Sequence, residues 1–246
     1  MKHRFWGAEF KHAVHYAADS LELVRRAQRS SRISFQPSAP TRTGARVESS
    51  KPGIDMNHER LRIPDLVLFT PRRSGDARGF FSETFRQDAF DAAAGPSIFV
   101  QDNHARSGEA GVIRGLPFQR PPRAQGKLVR VVRGAIFDVA VDIRLGSPTF
   151  GQHVAVALSA ENWRQLWVPI GFAHGYCTLE PNTEVIYKVT AYYSPADEGG
   201  LAFDDPALAI DWPVAAARAQ LSDRDRRHPK LAELPPFRSA ETAMKR

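Results

Sequence analysis

The sequence is poor in the residues that cross-link or anchor a protein. It holds one cysteine, Cys177, in 246 residues. No disulfide can form within the chain, and nothing points to an oxidising compartment. Without a C-x-x-C pair a thiolate zinc site is excluded. No apolar run approaches the roughly 18 residues of a membrane-spanning helix. The opening MKHRFWGAEFKHAV is charged where a secretory leader would be continuously apolar, so a cytoplasmic protein with no membrane partner is expected. There is no P-loop, no G-x-G-x-x-G opening a helix and no G-x-S-x-G elbow. His104, His153 and His174 are far apart and form no H-x-H pair, so no metal is implied by spacing. Cys177 lies in a strand-like run and reads as a small core residue rather than a nucleophile.

What is present is an ordinary soluble composition, 42% hydrophobic and 25% charged. The net charge of +7 is unevenly placed. Residues 1–55 hold 10 Lys+Arg and 5 Asp+Glu, which leaves 24 against 22 for residues 56–246. The excess sits outside the expected core, which argues for a solvated basic extension rather than a nucleic-acid surface. Within that extension, residues 10–29 carry the apolar spacing of a short amphipathic helix. Residues 30–51 are Ser-, Arg- and Pro-rich and read as a linker. A poorly ordered extension, a transit peptide (against which Glu9, Asp19 and Glu22 argue) and a mis-assigned start at Met56 all remain open.

After Met56 short strand-like runs recur: 97–104, 111–116, 127–132, 135–143, 152–159, 165–169, 173–179 and 184–193. In AIFDVAVDI (135–143) the odd positions are apolar and Asp138 and Asp142 fall on the other face, the period-two pattern of a strand with one buried face. Arg133-Gly134 is a weak hairpin signal. Helical periodicity is confined to 86–94 and 214–221. Many short strands at close spacing predict a β-sandwich or closed barrel.

Four polar side chains, Arg114, Lys127, His174 and Tyr187, interrupt apolar runs. Each alone could be a satisfied buried group; together in one small barrel they suggest a polar cavity. The strings DARGFFSE (76–83), FVQDNH (99–104), GVIRGL (111–116), QGKLVRV (125–131), GFAHGY (171–176), EVIYKVT (184–190) and LSDRD (221–225) resemble, in order and at nearly the same spacing, the dTDP-4-dehydrorhamnose 3,5-epimerase family. The resemblance covers about residues 60–236. It implies an all-β, cupin-type jelly roll with short peripheral helices, a homodimer, no cofactor, and a dTDP-4-keto-6-deoxyhexose as substrate.

The resemblance also implies roles for individual residues. Arg78 and Glu83 would touch the nucleotide. Gln101, Asn103 and Arg114 would face the ligand. Lys127 would stand beside the sugar carbonyl, and His174 would bind phosphate or sugar oxygens. Tyr187 would be the general acid, provided nearby cations lower its pKa. Tyr193, Glu198 and Arg224 would hold the nucleotide and pyrophosphate; Arg224 replaces a lysine common in the family, which keeps the cation but alters its geometry. Asp225 would orient the catalytic base.

That base is the point of departure. The family string runs R-G-L-H, with the histidine taking the proton; here Pro117 follows Arg114-Gly115-Leu116. Proline has no titratable group, and loss of a general base typically costs about 10² to 10⁴-fold. The fold tolerates proline at a strand end or edge. Three accounts stand open: a catalytically impaired protein that still binds dTDP-sugar, an enzyme using another base, with inversion at a single centre as one outcome, and an erroneous or damaged codon.

Overall fold

The structure, a computed structural model, describes residues 56–237. The readings for residues 1–55, including the helix over 10–29 and the linker over 30–51, lie outside the described residues. Fourteen strands are present among the described residues: β1 (Asn57–Arg60), β2 (Val67–Thr70), β3 (Ser74–Asp76), β4 (Gly79–Phe81), β5 (Gln101–Ser107), β6 (Ile113–Arg114), β7 (Pro117–Gln119), β8 (Lys127–Arg133), β9 (Ala135–Asp142), β10 (His153–Ser159), β11 (Gln165–Val168), β12 (Phe172–Thr178), β13 (Thr183–Val189) and β14 (Glu198–Gly200), with one helix, α1 (Gln87–Ala94).

Two antiparallel sheets face each other, in the orders β1-β2-β11-β8-β13-β5 and β10-β9-β12-β6. This is the jelly roll that the strand spacing and the family strings predict. Alternation sends Leu68, Val129, Leu166 and Val185 from the first sheet, and Ile136, Ala140, Leu158 and Phe172 from the second, into one shared core.

Both sheets are also covered on their outer faces. On the larger sheet, Val67, Phe69, Leu128 and Trp167 point outward and meet Phe90 and Ala93 of α1. The Phe90 ring lies edge-on to Trp167 with centroids 5.0 Å apart. The smaller sheet is covered by the C-terminal segment, where Leu201, Leu208 and Phe237 pack on Val139, Val141 and Ala173.

That second cover corrects the reading of β9. The strand is buried on both faces, with Asp138 and Asp142 fully enclosed. The odd face meets the C-terminal segment, and the even face, which carries both carboxylates, looks into the space between the sheets. Asp142 is satisfied locally by Arg144, Ser147 and Thr149. Other sequence-based boundaries also shift. Residues 97–100 precede β5 instead of belonging to it, the 214–221 periodicity gives only a 3-10 turn at Ala216–Arg218, and Arg133-Gly134 is not a hairpin. Gly134, at φ 73°, carries the chain from β8 in one sheet to β9 in the other.

Candidate functional site

The period-two alternation that builds the core also builds a polar floor within it. On β8, Lys127 lies on the same face as Val129 and Val131, which enter the core. On β13, Tyr187 shares the face of Val185, and it pairs in register with Val129 on one side and Asn103 of β5 on the other. From the opposite sheet come Asp138 on β9 and His174 and Tyr176 on β12, with Tyr176 in register with both Asp138 and Arg114. Ile136 and Ala140 flank Asp138, and Phe172 and Tyr176 flank His174, in the shared core, so these polar groups lie inside the sandwich among apolar neighbours.

Their contacts show that they interact. His174 Nε2 lies 2.9 Å from Asp138 Oδ1, and both side chains are buried. Asp138 Oδ2 has no hydrogen-bond partner among the described residues. Burial lowers the Lys127 pKa from 10.5 to about 8, against the opposing pull of the Asp138 and Glu198 carboxylates. The Lys127 ammonium donates to the Pro117 carbonyl at 3.4 Å. Burial pushes Tyr187 up from its ordinary value of 10, with Arg114 offsetting part of the rise. The condition set for the acid role, a pKa lowered by nearby cations, is not met by the protein's own groups: desolvation of the phenolate outweighs the Arg114 cation. Tyr176 is pushed up too, chiefly by burial. Its contact with this group gave no sequence signal beyond its place beside His174.

At the rim, Arg114 is exposed and reaches across to β5, donating to Ser107 Oγ and the Arg106 carbonyl. Gln101 donates to Asn103 and accepts from the Tyr193 backbone N–H. Tyr193, Glu198 and Arg224 are brought together. The Tyr193 hydroxyl donates to Glu198 Oε2 at 2.7 Å, and the Arg224 guanidinium pairs with the same oxygen. Cys177 is buried, and its thiol is pushed up to about 12 by burial, which fits its reading as a packing residue.

The remaining predicted residues are not part of this group. Arg78 is 89% exposed on the β3–β4 hairpin and pairs with Asp76. Glu83 follows that hairpin with a buried, unpartnered carboxylate oxygen. A cleft of about 650 Å³, lined by Arg60, Asp65, Ile98, Arg144, Trp167 and Ile170 among others, shares none of the polar-floor residues.

Pro117 opens β7, which pairs with β14 as a two-stranded ribbon (Pro117 with Gly200, Gln119 with Glu198). As the first residue of its strand it withholds no needed ladder N–H. Asp225 lies nearby. Burial raises its pKa, but contacts with His228, Ser222 and the Gly115 backbone outweigh that and leave it below the ordinary carboxylate value.

Residues 60–233 match the family model described as dTDP-4-dehydrorhamnose 3,5-epimerase. A dTDP-4-dehydrorhamnose 3,5-epimerase of Sinorhizobium fredii is 51% identical over 181 residues, spanning 74% of this chain and 92% of that protein. The fold is similar to that of the Legionella pneumophila dTDP-6-deoxy-D-glucose-3,5-epimerase in complex with dTDP-4-keto-L-rhamnose, with a TM-score of 0.71 and 46% identity over 76% of this chain and all of that one. It is also similar to the Bacillus anthracis dTDP-4-dehydrorhamnose 3,5-epimerase with TDP and pyrophosphate bound, with a TM-score of 0.69 and 49% identity, covering 72% of this chain and 99% of that one.

Proposed function

The chain belongs to the dTDP-4-dehydrorhamnose 3,5-epimerase family, and from that premise we propose that it is a cytoplasmic, homodimeric isomerase that inverts C3 and C5 of dTDP-4-keto-6-deoxyglucose on the way to dTDP-L-rhamnose. The observation that carries this reading is the convergence of Lys127, Asp138, His174 and Tyr187 on the interior of an otherwise apolar sandwich.

The chemistry follows from the ketone. Hydrogens on C3 and C5 flank the C4 carbonyl, so their loss gives an enolate with charge on O4. Lys127, buried and cationic below about pH 8, stabilises that oxyanion where water is excluded. Tyr187 returns a proton to the opposite face of the carbon. Its raised pKa keeps it protonated at neutral pH, as an acid requires, and makes its phenolate costly, so the Lys127 and Arg114 charges are needed to offset the transfer. Arg114, Gln101, Asn103 and His174 would orient the sugar and phosphates, and Tyr193, Glu198 and Arg224 would hold the nucleotide side.

Two measurements test the reading. Calorimetric titration with dTDP is expected to show binding; none at millimolar nucleotide would remove it. Incubation of the keto-sugar in deuterated water is expected to label C3 and C5, with deuterium read by NMR. Binding without labelling would leave a sugar-nucleotide-binding protein in place of an enzyme.

A further inference from the structure

The proposed reaction needs a proton acceptor, and Pro117 cannot be one. We propose that His228, held by Asp225, is the catalytic base. The inference rests on the epimerase reading above and adds the residue that reading lacks.

The argument is one of faces. Leu116, Phe118 and Leu201 pack into the core between the smaller sheet and the C-terminal segment, and Gly199 backs directly onto the Phe118 ring. By alternation Pro117, Glu198 and Gly200 present the other side of the β7–β14 ribbon. Glu198, on that side, is near enough to Lys127 for its charge to act there, and the Lys127 bond to the in-plane Pro117 carbonyl brings the ribbon against the reaction floor. The His228 ring lies on this same side. A Cβ on Gly200 would overlap the imidazole, and Gly200 is the register partner of Pro117. Cross-strand partners project to the same side of a sheet, so the imidazole sits next to the position that the proline leaves without a titratable group.

The ring is held there. Its side chain is only 10% exposed, and Nε2 lies 3.3 Å from Asp225 Oδ1, at ion-pair distance but with no hydrogen-bond partner among the described residues. The residues that follow it are tied down. The Pro229 carbonyl accepts from the Ala202 N–H at 2.8 Å, and the Leu231 N–H donates to Asp205 at 2.7 Å. With the Asp225 carboxylate as the charged neighbour of Nε2, electrostatics favours the ring proton on that nitrogen, which leaves Nδ1 its lone pair. Nδ1 then accepts the hydrogen from C3 or C5. The C–H electrons form the enolate double bond, and the carbonyl electrons move to O4 beside Lys127. Asp225 stabilises the imidazolium. Tyr187 delivers its proton to the carbon from the other face. Solvent then takes the imidazolium proton and restores the phenol.

The test is His228→Gln, with wild type alongside, each measured for dTDP binding by calorimetry and for deuterium labelling of the keto-sugar. Wild-type labelling that falls about 10² to 10⁴-fold in the variant, with dTDP affinity kept within a few-fold, supports the proposal. Gly200→Ala, which displaces the ring without removing it, is expected to lower labelling in the same direction. Introducing Pro117→His into the His228→Gln protein is expected to restore it. Undiminished labelling in His228→Gln overturns the proposal. So does a wild type that binds dTDP and labels nothing, although that result leaves the binding reading intact. A wild type that binds no dTDP removes the parent reading itself.

Discussion

Lys127 is the residue whose environment has the most definite consequence. Its ammonium is buried, and desolvation lowers its pKa to about 8 in spite of Asp138 and Glu198. If it stabilises the enolate as a cation, kcat/KM is expected to fall as pH rises through about 8, and Lys127→Met is expected to remove that limb with a loss of about 10² to 10³-fold, as for an oxyanion donor. A profile that stays flat to pH 9.5 would mean that Lys127 plays no such part. Stability should move the other way. Between about 8 and 10.5 the unfolded chain binds more protons at this site than the folded one, so unfolding free energy contributed by Lys127 rises with pH across that window. At pH 7 the buried cation costs roughly 3 kcal/mol on this accounting. Urea melts of wild type and Lys127→Met at pH 7 and 10 check both sign and size: the difference between the two proteins should shrink at the higher pH.

The residue scale is also where sequence reasoning divides most sharply. Lys127, His174 and Tyr187 stand out because a polar side chain in an apolar run has few bland explanations. Asp138 did not stand out, because its alternation with Phe137 and Val139 is what a solvent-facing strand position looks like. Only the C-terminal segment, packed on the odd face of β9, turns Asp138 inward. His228 sits in an exposed-looking, charge-rich string, DRDRRHPK. Its proximity to Pro117 depends on the pairing of β7 with β14 and on a fold-back more than a hundred residues away in sequence, and neither leaves a local trace.

At the scale of elements, α1 is the clearest case of a peripheral piece serving the core. It carries no side-chain cap at Arg86, and its C-terminus closes on Gly95 at φ 87°, whose N–H donates to the Asp91 carbonyl. Stability therefore comes from what it buries. Phe90 is fully enclosed among Phe69, Phe85, Phe99 and Trp167. Phe90→Ala is expected to cost about 3–5 kcal/mol in chemical denaturation, while dTDP affinity below the transition stays at the wild-type value, since α1 packs on the sheet face opposite the polar floor. A loss under 1 kcal/mol would show that the aromatic cluster repacks around the gap. The element was visible in the 86–94 periodicity, and the long strands β8–β10 and β12 were visible with boundaries good to a residue, whereas the 184–193 run overshoots the end of β13 at Val189 by four residues. The short β1, β2, β3, β4, β7 and β14 were missed, because three or four residues cannot establish a period. The Arg133-Gly134 turn misled because a glycine with positive φ serves a passage between sheets as readily as a hairpin.

At the scale of the whole molecule, the proposed homodimer is tested by the large apolar side chains that the described residues leave exposed. Phe81 is 75% exposed and Phe80 58% exposed on the β3–β4 hairpin, and Ile98 is 79% exposed. Arg78 lies on the β3–β4 hairpin, where among the described residues it pairs with Asp76 and has no part in the polar floor. A homodimer reconciles the two: the hairpin's rings would be buried against the partner, and Arg78 would reach a nucleotide there. Sedimentation is expected to give twice the 27.4 kDa chain mass. Phe81→Asp places a charge where a ring should be buried and is expected to weaken association by about 2 kcal/mol or more, the loss typical of an interface anchor. If the hairpin serves the nucleotide of the neighbouring protomer, the same variant should lose dTDP affinity as it becomes monomeric, and Arg78→Ala should lose affinity while remaining a dimer. A monomeric Phe81→Asp protein that binds dTDP as tightly as wild type would confine the nucleotide site to one chain and leave Arg78 without the predicted role.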